Sequence, residues 1–371
     1  MNTVWDIGAQ RPKFAPLQVD RTVDLCVIGL GGSGLTAVNE ALTRGLSVIG
    51  IDAGEIAGEA AGRNGGFLLA GIAEFHHDAV TNFGRDKARR LYQRTLDEMA
   101  LMERATPESI RRIGGLRIAF DDDEFTDCQR HFEALILDGF PVEMYDGPEG
   151  KGILIPTDGV FHPLNRAISL VEHAVAGGAE LFAHTKALSV ESNVVRTPNG
   201  NIEAKNILVA IDGNLSVLLT QLKDDVYPVR LQMLSTAPVA TTRFQLPVYT
   251  RSAYDYWQQL PDGRISIGGG RDVGGVEEDT NEVRITSTVQ NFLDERIKGL
   301  GITAPVEHRW AATVSYTKSG LPIAREVAPG VYAIGAYCGT GNVVGALLGR
   351  AVVEKISTGK SDVWSDFSEV I

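Results

Sequence analysis

Cysteine is scarce in this chain of 371 residues: the three present, Cys26, Cys128 and Cys338, lie far apart. Three widely separated thiols make neither a disulfide framework nor a zinc site, so a reducing compartment is favoured and we expect the cytoplasm. The sequence has no run of about 18 apolar residues, so we expect no membrane-spanning segment. Its first residues have no basic region followed by an apolar stretch, so we expect no secretory signal.

Positive charge is also in short supply, because 35 basic residues face 47 acidic ones and the formal net charge is −12. A surface of that sign repels phosphate backbones, so nucleic acid is not expected as a partner. A cationic small molecule would instead be attracted. The composition, 44% hydrophobic and 22% charged, is ordinary for a globular enzyme. The length exceeds what one hydrophobic core usually serves, which predicts two lobes.

Apolar runs predict a β-strand at residues 23–29, a helix at 34–44 and a second strand at 46–51. Both strands are continuously apolar, as strands of a parallel sheet are, so these segments form one βαβ unit. A glycine-rich loop is expected at 58–70 and one long helix from about 78 to 105. Residues 248–258 and 264–270 are predicted to be β-rich.

The ends and the middle of the chain show α/β patterns, and the segments between them are predicted to form antiparallel sheet. We therefore predict an α/β fold, α+β overall, in which a Rossmann-like nucleotide domain carries an inserted antiparallel-sheet substrate domain. The predicted division is an N-terminal arm at 1–20, a nucleotide domain at 21–85, 150–225 and 318–371, and a substrate domain at 86–149 and 226–317.

A GxGxxG motif occupies residues 29–34, after the first strand and at the start of the helix. In such motifs Gly29 would permit the tight turn, Gly31 the approach of a pyrophosphate, and Gly34 the packing of helix on strand. The helix N-terminus then offers N–H groups and a positive dipole end to the anion. Asp52 follows the second strand, where its carboxylate can accept both ribose hydroxyl protons. This unit alone fits NAD or FAD.

Two further glycine-rich segments favour FAD. The first, Arg63-Asn64-Gly65-Gly66, comes shortly after the ribose carboxylate, and the second joins a strand to a helix at residues 335–342. The second turn would bring N–H groups and a helix dipole to another anion. In a flavin enzyme that anion is the N1–C2=O edge of the reduced ring.

These motifs resemble those of the D-amino-acid oxidase/glycine oxidase superfamily of FAD enzymes, and most closely its γ-glutamylputrescine oxidoreductase-like branch. The similarity covers essentially the whole chain: the arm with its Trp, the GxGxxG, the AGRNGG loop at 61–66, and a C-terminal series of Trp310, Thr317-x-x-Gly320-Leu321-Pro322 and the 335–341 glycines. The family's usual ribose Glu is Asp52 here, which keeps the carboxylate.

The resemblance implies FAD as the cofactor and assigns residues to its parts. The expected cofactor-binding residues are Gly29, Gly31, Gly34 and Asp52 for the ADP half, Ala187 for adenine, Arg63, Asn64, Gly65 and Gly66 for the pyrophosphate and flavin, and Gly335, Gly339, Thr340, Gly341 and Asn342 for the polar edge of the ring. A surface salt bridge is the alternative for Arg63. Some relatives attach FAD through a cysteine in the segment equivalent to 313–316, but this chain has none there, so the FAD is expected to be noncovalent. Cys338 is then expected to be a small buried filler, and a position near the flavin ring is the alternative.

The carboxylate anchors familiar in this family are missing, since the matching positions are Val314 and Val343. Either the substrate has no carboxylate at the reacting carbon or another cation binds it. Arg251 and Arg271 flank the hairpin expected to form the pocket wall, and Arg230 lies in the preceding strand. A guanidinium group binds a carboxylate through two hydrogen bonds, although a solvent-facing position is the alternative for each.

Tyr254 and Tyr256 alternate along their strand, so both rings should face one side and Trp257 the other. We expect the two tyrosines to bind the substrate, because aromatic rings pack against its body and attract a cationic nitrogen. An aromatic strand face that belongs to the core is the alternative.

We therefore expect an FAD-dependent oxidase of a small secondary or primary amine or N-substituted amino acid, such as an imino-diacid. Hydride would pass to flavin N5, the imine would hydrolyse, and dioxygen would reoxidise the flavin to give hydrogen peroxide. No catalytic acid or base is assigned, because nothing places His76, His77, His162 or His308 at the flavin. The alternatives are an FAD dehydrogenase using a quinone or protein acceptor, a nicotinamide-dependent dehydrogenase, and a non-enzymatic flavin-binding subunit.

Overall fold

The computed structural model describes residues 2–368. Its strands are β1 (Arg21–Ile28), β2 (Val48–Ile51), β3 (Phe67–Leu68), β4 (Ile110–Arg111), β5 (Gly115–Ile118), β6 (Glu143–Gly147), β7 (Gly150–Ile155), β8 (Gly159–Phe161), β9 (Glu180–Phe182), β10 (Ser189–Glu191), β11 (Val194–Thr197), β12 (Gly200–Val209), β13 (Val226–Thr236), β14 (Val248–Thr250), β15 (Asp255–Gln259), β16 (Ile265–Gly269), β17 (Val306–Thr317), β18 (Ile323–Ala328) and β19 (Val331–Gly335).

The α-helices are α1 (Gly32–Thr43), α2 (Ala60–Arg63), α3 (His76–Phe83), α4 (Arg85–Ala105), α5 (Asp122–Leu137), α6 (Pro163–Ala176), α7 (Leu215–Leu218), α8 (Arg271–Gly274), α9 (Ser287–Gly299), α10 (Val344–Thr358) and α11 (Asp362–Ser368). Short 3₁₀ turns occur at Val4–Asp6, Pro107–Ser109, Asp212–Asn214, Thr220–Leu222 and Gly275–Glu278.

The first sheet contains the predicted βαβ unit. Five parallel strands run in the order β19-β12-β1-β2-β9, and β18, β11 and β10 extend the sheet by antiparallel pairing. Alternate residues of β1 enter different cores, because Leu25 and Val27 face α1, α6 and α10 while Cys26 and Ile28 face the opposite side. A parallel sheet covered on both faces confirms the predicted Rossmann-like fold class.

The second sheet has the order β17-β13-β16-β15-β14-β5-β7-β6 and is antiparallel except between β5 and β14. One face packs Trp257 and Ile267 against Leu293 of α9. The opposite face is turned toward the first sheet's lobe, where Trp310 meets Trp5. Strand β7 (Gly150–Ile155) belongs to this sheet, although the predicted division assigned residues from 150 onward to the nucleotide domain. Strands β3, β8 and β4 form a small third sheet.

Several local predictions were wrong. The long helix expected at 78–105 is two helices, α3 and α4, because Gly84 between them has φ 79°. The loop expected at 58–70 contains α2 and β3. The β-rich stretch at 248–258 is interrupted by a turn in which Arg251, Ser252 and Ala253 all have positive φ.

The N-terminal arm is more than a surface segment. Trp5 is 3% exposed and Leu17 is 1% exposed, so both side chains belong to the interior. Across residues 2–368, no helix combines the length and the apolar character that a bilayer crossing requires.

Candidate active site

The turn between β1 and α1 is built around its glycines. Gly29 has φ 95° and donates its N–H to the Ile51 carbonyl at 2.9 Å. A Cβ placed on Gly34 would lie 1.9 Å from the Gly29 carbonyl oxygen, so only glycine fits there. Helix α1 has Gly31 as its N-cap, a residue without a side chain to cap the helix. Its first N–H groups therefore lack a side-chain cap, and pyrophosphate binding at this helix start stays a prediction.

Asp52 is fixed at the end of β2 by two backbone groups. Its Oδ2 accepts from the Leu30 N–H at 2.9 Å and its Oδ1 from the Gly54 N–H at 3.0 Å. Burial raises the pKa of Asp52, and these two hydrogen bonds oppose that rise. The carboxylate is thus oriented at the carboxyl end of the strand, where a ribose would lie. Ala187 lies in the loop before β10 rather than in a strand and packs against the core on one face of the first sheet.

Two indole groups hold the backbone of the Arg63–Gly66 segment. Trp310 Nε1 donates to the Arg63 carbonyl at 2.7 Å, and Trp5 Nε1 donates to the Asn64 carbonyl at 2.8 Å. The Arg63 side chain is only 17% exposed, and its Nη1 lies 3.4 Å from Glu59 Oε2. The weak pairing leaves most of the guanidinium's donors for an anion beside α2.

The side-chain amide of Asn64 organises this segment. Its Nδ2 donates to the carbonyls of Ala60 and Ala61, and its Oδ1 accepts from the Gly66 N–H at 2.9 Å. Asn342 Nδ2 donates to the same Oδ1 at 3.2 Å. The structure thus brings the two glycine-rich segments together, as a single flavin site requires.

The turn at residues 335–342 rests on Asp212, which the sequence analysis did not single out. The Asp212 carboxylate accepts from the Ala336 N–H at 2.7 Å and from the Ser315 N–H at 3.3 Å. Burial raises the pKa of Asp212 to about 6, against the opposing effect of these donors. A signal was present, because Asp212 directly follows the apolar end of a parallel strand, where ligands of such sheets bind.

Cys338 lies within this turn with φ 53° and is buried. Its Sγ accepts from the Thr317 N–H at 3.4 Å, and burial raises the pKa of the thiol. These contacts are those of a small buried side chain rather than of a reactive thiolate.

Three aromatic side chains, Phe67, Tyr249 and Tyr256, form what we call the aromatic wall. The ring centroid of Phe67 lies 4.7 Å from that of Tyr249 and 5.6 Å from that of Tyr256, and the two tyrosine rings are 5.5 Å apart. A Cβ built on Gly65 would lie 3.1 Å from Tyr256 Cε2, so the wall adjoins the Arg63–Gly66 segment. Burial raises the pKa of both tyrosines, so the phenols are neutral.

Arg271 lies at the other glycine-rich segment. Its guanidinium carbon is 4.4 Å from the ring centroid of Tyr316 and 5.0 Å from that of Tyr254. A Cβ on Gly339 would lie 3.4 Å from Tyr316 Oη, which connects this cation to the 335–342 turn. Within residues 2–368, Arg271 forms no ion pair with a carboxylate. Burial lowers its pKa, but the neighbouring tyrosines, among them Tyr254 through a hydrogen bond, outweigh that effect and raise it.

The two other candidate arginines are already paired. Arg230 is fully buried and donates to both carboxylate oxygens of Glu278 at 2.9 Å. Arg251 pairs with Asp255 at 2.9 Å and also with Asp272. Among the described residues, Arg271 thus differs from the other two arginines in having no carboxylate partner.

Three of the four histidines considered have roles elsewhere. His76 Nε2 lies 2.7 Å from Asp138 Oδ2 in a buried pair, and His77 Nε2 lies 3.1 Å from Asp127. His162 caps α6 by accepting the Asn165 N–H. None of these three histidines is therefore placed to act as a general base at the aromatic wall.

Comparison with known proteins identifies the family. A family model described as FAD dependent oxidoreductase matches residues 24–355. The chain belongs to that family. It is 27% identical to a probable oxidoreductase, OrdL, of Rhizobium meliloti and 25% identical to the γ-glutamylputrescine oxidoreductase of Escherichia coli; these matches cover 95% and 94% of this chain and 87% of each relative. Glycine oxidase of Geobacillus kaustophilus has the same fold, with a TM-score of 0.76, 19% identity and coverage of 92% of this chain and 96% of that one.

The protein is therefore an FAD-dependent oxidoreductase, and its residues fit the cofactor. The glycine positions where a side chain would collide with backbone, the uncapped start of α1 and the oriented Asp52 carboxylate match the ADP half. The Arg63–Gly66 segment and the 335–342 turn would hold the flavin. No cysteine occurs at residues 313–316, which agrees with noncovalent binding.

Proposed function

We propose that this oxidoreductase oxidises the C–N bond of a small amino acid or N-substituted amino acid whose carboxylate is bound by Arg271. The observation that carries the proposal is the Arg271 guanidinium, which has no carboxylate partner among residues 2–368 and lies over Tyr316 beside the turn that contains Gly339. A partly buried arginine whose guanidinium has no carboxylate partner is a suitable anchor for the carboxylate of a ligand. It would replace the two anchors that Val314 and Val343 do not provide.

The aromatic wall would hold the rest of the substrate. Its rings exclude water and supply no charge, because the phenols of Tyr249 and Tyr256 stay protonated. A surface of this kind lowers the pKa of a bound amine by desolvation and favours its neutral form. The substrate could therefore bind with its nitrogen unprotonated, and no side-chain base is needed. Bound FAD supplies the two-electron acceptor.

The wall and Arg271 set the orientation of the substrate. With its carboxylate at Arg271 and its body against Tyr256, the reacting carbon would lie beside Gly65, where the two glycine-rich segments meet. Support for an oxidase of amino acids comes from the shared fold with glycine oxidase and from the similarity to γ-glutamylputrescine oxidoreductase. We propose dioxygen as the final acceptor, with hydrogen peroxide as the product.

The test compares oxidation of carboxylated and plain amines by the wild-type protein and by the Arg271→Gln variant. The wild-type protein should oxidise N-methylglycine or a larger N-substituted glycine much faster than the corresponding amine without the carboxylate. In the variant, KM for the carboxylated compound should rise about 10- to 100-fold, while the rate with the plain amine stays the same. Equal loss on both compounds would contradict a carboxylate-binding role. Stoichiometric oxygen uptake and peroxide formation would separate an oxidase from a dehydrogenase that uses a quinone or a protein acceptor.

A further inference from the structure

One row of residues crosses the second sheet from β13 to β5. The pairing register places Met233 opposite Gly268, Gly268 opposite Tyr256, Tyr256 opposite Tyr249, and Tyr249 opposite Arg117. Residues directly opposite in neighbouring strands project from the same face of a sheet. Arg117 therefore projects from the face that carries the aromatic wall, at the far end of the row from β13.

Arg117 is poorly paired for a half-buried cation. Its guanidinium carbon lies 6.0 Å from the Tyr249 ring and 5.8 Å from the Phe75 ring. Its nearest ionic partner is Asp158, whose Oδ2 is 3.8 Å from Nη2, and the Arg117 side chain is 15% exposed. The buried Nε has no hydrogen-bond partner in the described chain.

The neighbourhood of Arg117 contains further unsatisfied polar atoms. Arg117 lines a cavity of about 30 Å³ together with Tyr92 and His131. Among residues 2–368, neither the Tyr92 hydroxyl nor His131 Nε2 has a hydrogen-bond partner. Buried polar atoms are nearly always satisfied in native proteins, so a group of orphaned atoms around one cavity indicates water or a ligand.

The acidic side chains near this cavity do not take up the donors of Arg117, so an anion can still bind there. Asp158 is buried, its pKa is raised by burial to about 6, and its Oδ1 already accepts from the Ala70 N–H at 2.9 Å. Glu74 also lines the cavity, and its Oε2 accepts from Asn82 at 2.9 Å. Arg117 differs in this respect from Arg230, which donates two hydrogen bonds of 2.9 Å to a single carboxylate, that of Glu278.

We propose that Arg117 binds a second acid group of the substrate, at the end remote from the reacting C–N bond, while Arg271 binds the first carboxylate. This inference rests on the proposed function. Tyr256 and Arg117 are two strands apart, which corresponds to about 10 Å between their backbones. The site therefore fits a secondary amine with two carboxylates joined by a flexible chain better than a short N-methyl amino acid.

Two homologous series of compounds test this specificity in the FAD-bound enzyme. One is N-(ω-carboxyalkyl)glycines with one to five methylene groups in the alkyl chain, and the other is N-alkylglycines of matched length. In the wild-type enzyme, kcat/KM for the longer carboxylated members should exceed that of the matched neutral ones by about 10- to 100-fold. The advantage should be small for the shortest member, whose two carboxylates cannot reach both arginines.

The Arg117→Gln variant should bring this ratio close to 1, because kcat/KM should fall far more for the carboxylated members than for the N-alkylglycines, and Arg117→Lys should keep part of the preference. Arg130→Gln is the matched control, because Arg130 lies on α5 of the same domain with a side chain that is 65% exposed. It should leave the ratio at the wild-type value. Melting temperature and flavin absorbance verify that each variant is folded and loaded.

A wild-type enzyme without a preference for the charged tail would overturn the inference, and so would an Arg117→Gln variant that keeps the full preference. If the enzyme shows either of these two results but still oxidises the N-alkylglycines, the proposed function is unaffected. If no member of either series reduces the bound flavin, the proposed function fails and this inference fails with it.

Discussion

Asn342 Nδ2 donates to Asn64 Oδ1 at 3.2 Å and so joins two segments that are 278 residues apart in the chain. Asn64 makes four side-chain hydrogen bonds in all, whereas Asn342 makes two, the second to the Phe67 carbonyl at 2.9 Å. The two residues therefore differ in how much of the cofactor site each one holds.

Asn64→Ala should destabilise the protein more than Asn342→Ala. At about 0.5–1.5 kcal/mol for each hydrogen bond, the losses are about 2–6 kcal/mol for Asn64→Ala and about 1–3 kcal/mol for Asn342→Ala. Chemical denaturation of the holoprotein measures these values, and titration of the apoprotein with FAD should show weaker binding in the same order. An Asn342→Ala variant as damaged as Asn64→Ala would contradict the central position given to Asn64.

Gly34→Ala should abolish FAD binding, because its Cβ would lie 1.9 Å from the Gly29 carbonyl oxygen and force α1 away from β1. The measurement is retention of yellow colour after purification, together with the melting temperature. Gly299→Ala is the control: nothing lies within 4 Å of a Cβ built there, at the end of α9. It should be neutral or stabilising by up to about 1 kcal/mol. An FAD-loaded Gly34→Ala protein would show that this contact is not essential.

Asp212→Asn should change how stability depends on pH. The pKa of Asp212 is about 6 in the folded protein and near 3.8 when exposed, so the folded state binds the proton more tightly. Its contribution is fully present below pH 3.8 and is lost as the pH rises through 6. The wild type should therefore lose about 3 kcal/mol relative to the variant between pH 4 and pH 7. A difference that does not vary with pH would contradict the burial of this carboxylate.

Asp24 provides a control of opposite sign. Its side chain is 26% exposed, and hydrogen bonds from Lys205 and Ser47 hold its pKa below the ordinary value. Its contribution is therefore present above the unfolded pKa and is lost as the pH falls. In melting curves recorded as a function of pH, the wild type should lose stability relative to Asp24→Asn on acidification, opposite in direction to the Asp212 result.

Arg230→Leu and Arg271→Leu should have different effects. The first leaves the buried Glu278 carboxylate without its cationic partner, although Gln232 and Thr286 still donate to it, and costs about 3–5 kcal/mol of stability. The second removes a cation that pairs with no carboxylate in residues 2–368 and should cost about 1 kcal/mol or less. Substrate affinity should follow the reverse order. A loss of KM selectivity in Arg230→Leu at temperatures where it is fully folded would place that residue in the pocket.

Local features of the fold were predictable from the sequence because short segments determine them. The position of the GxGxxG turn follows from one apolar strand and its glycines, and the position of Asp52 follows from the end of the next strand. The prediction of one helix at 78–105 was wrong at Gly84. The apolar pattern continues through this position, but the backbone of Gly84 has φ 79°, which ends one helix before the next begins.

The substrate site was less predictable, because its residues differ only in their tertiary partners. Arg230, Arg251 and Arg271 all lie in or beside strands of one sheet. Glu278 and Asp272, which pair with the first two, are brought in by the turns at residues 271–279, and Arg251 also pairs with Asp255 of β15. Arg117 was missed for the same reason, since only the register of β5 with β14 places it beside Tyr249.

The most direct test of the central claim is the visible spectrum of the purified protein, recorded without oxygen during addition of amines and amino acids. The protein should carry FAD, and at least one carboxylated amine should remove the flavin absorbance band, which should return when oxygen is admitted. A protein that purifies without flavin and takes up none when incubated with FAD would contradict the account. So would a flavin band that no amine or amino acid reduces.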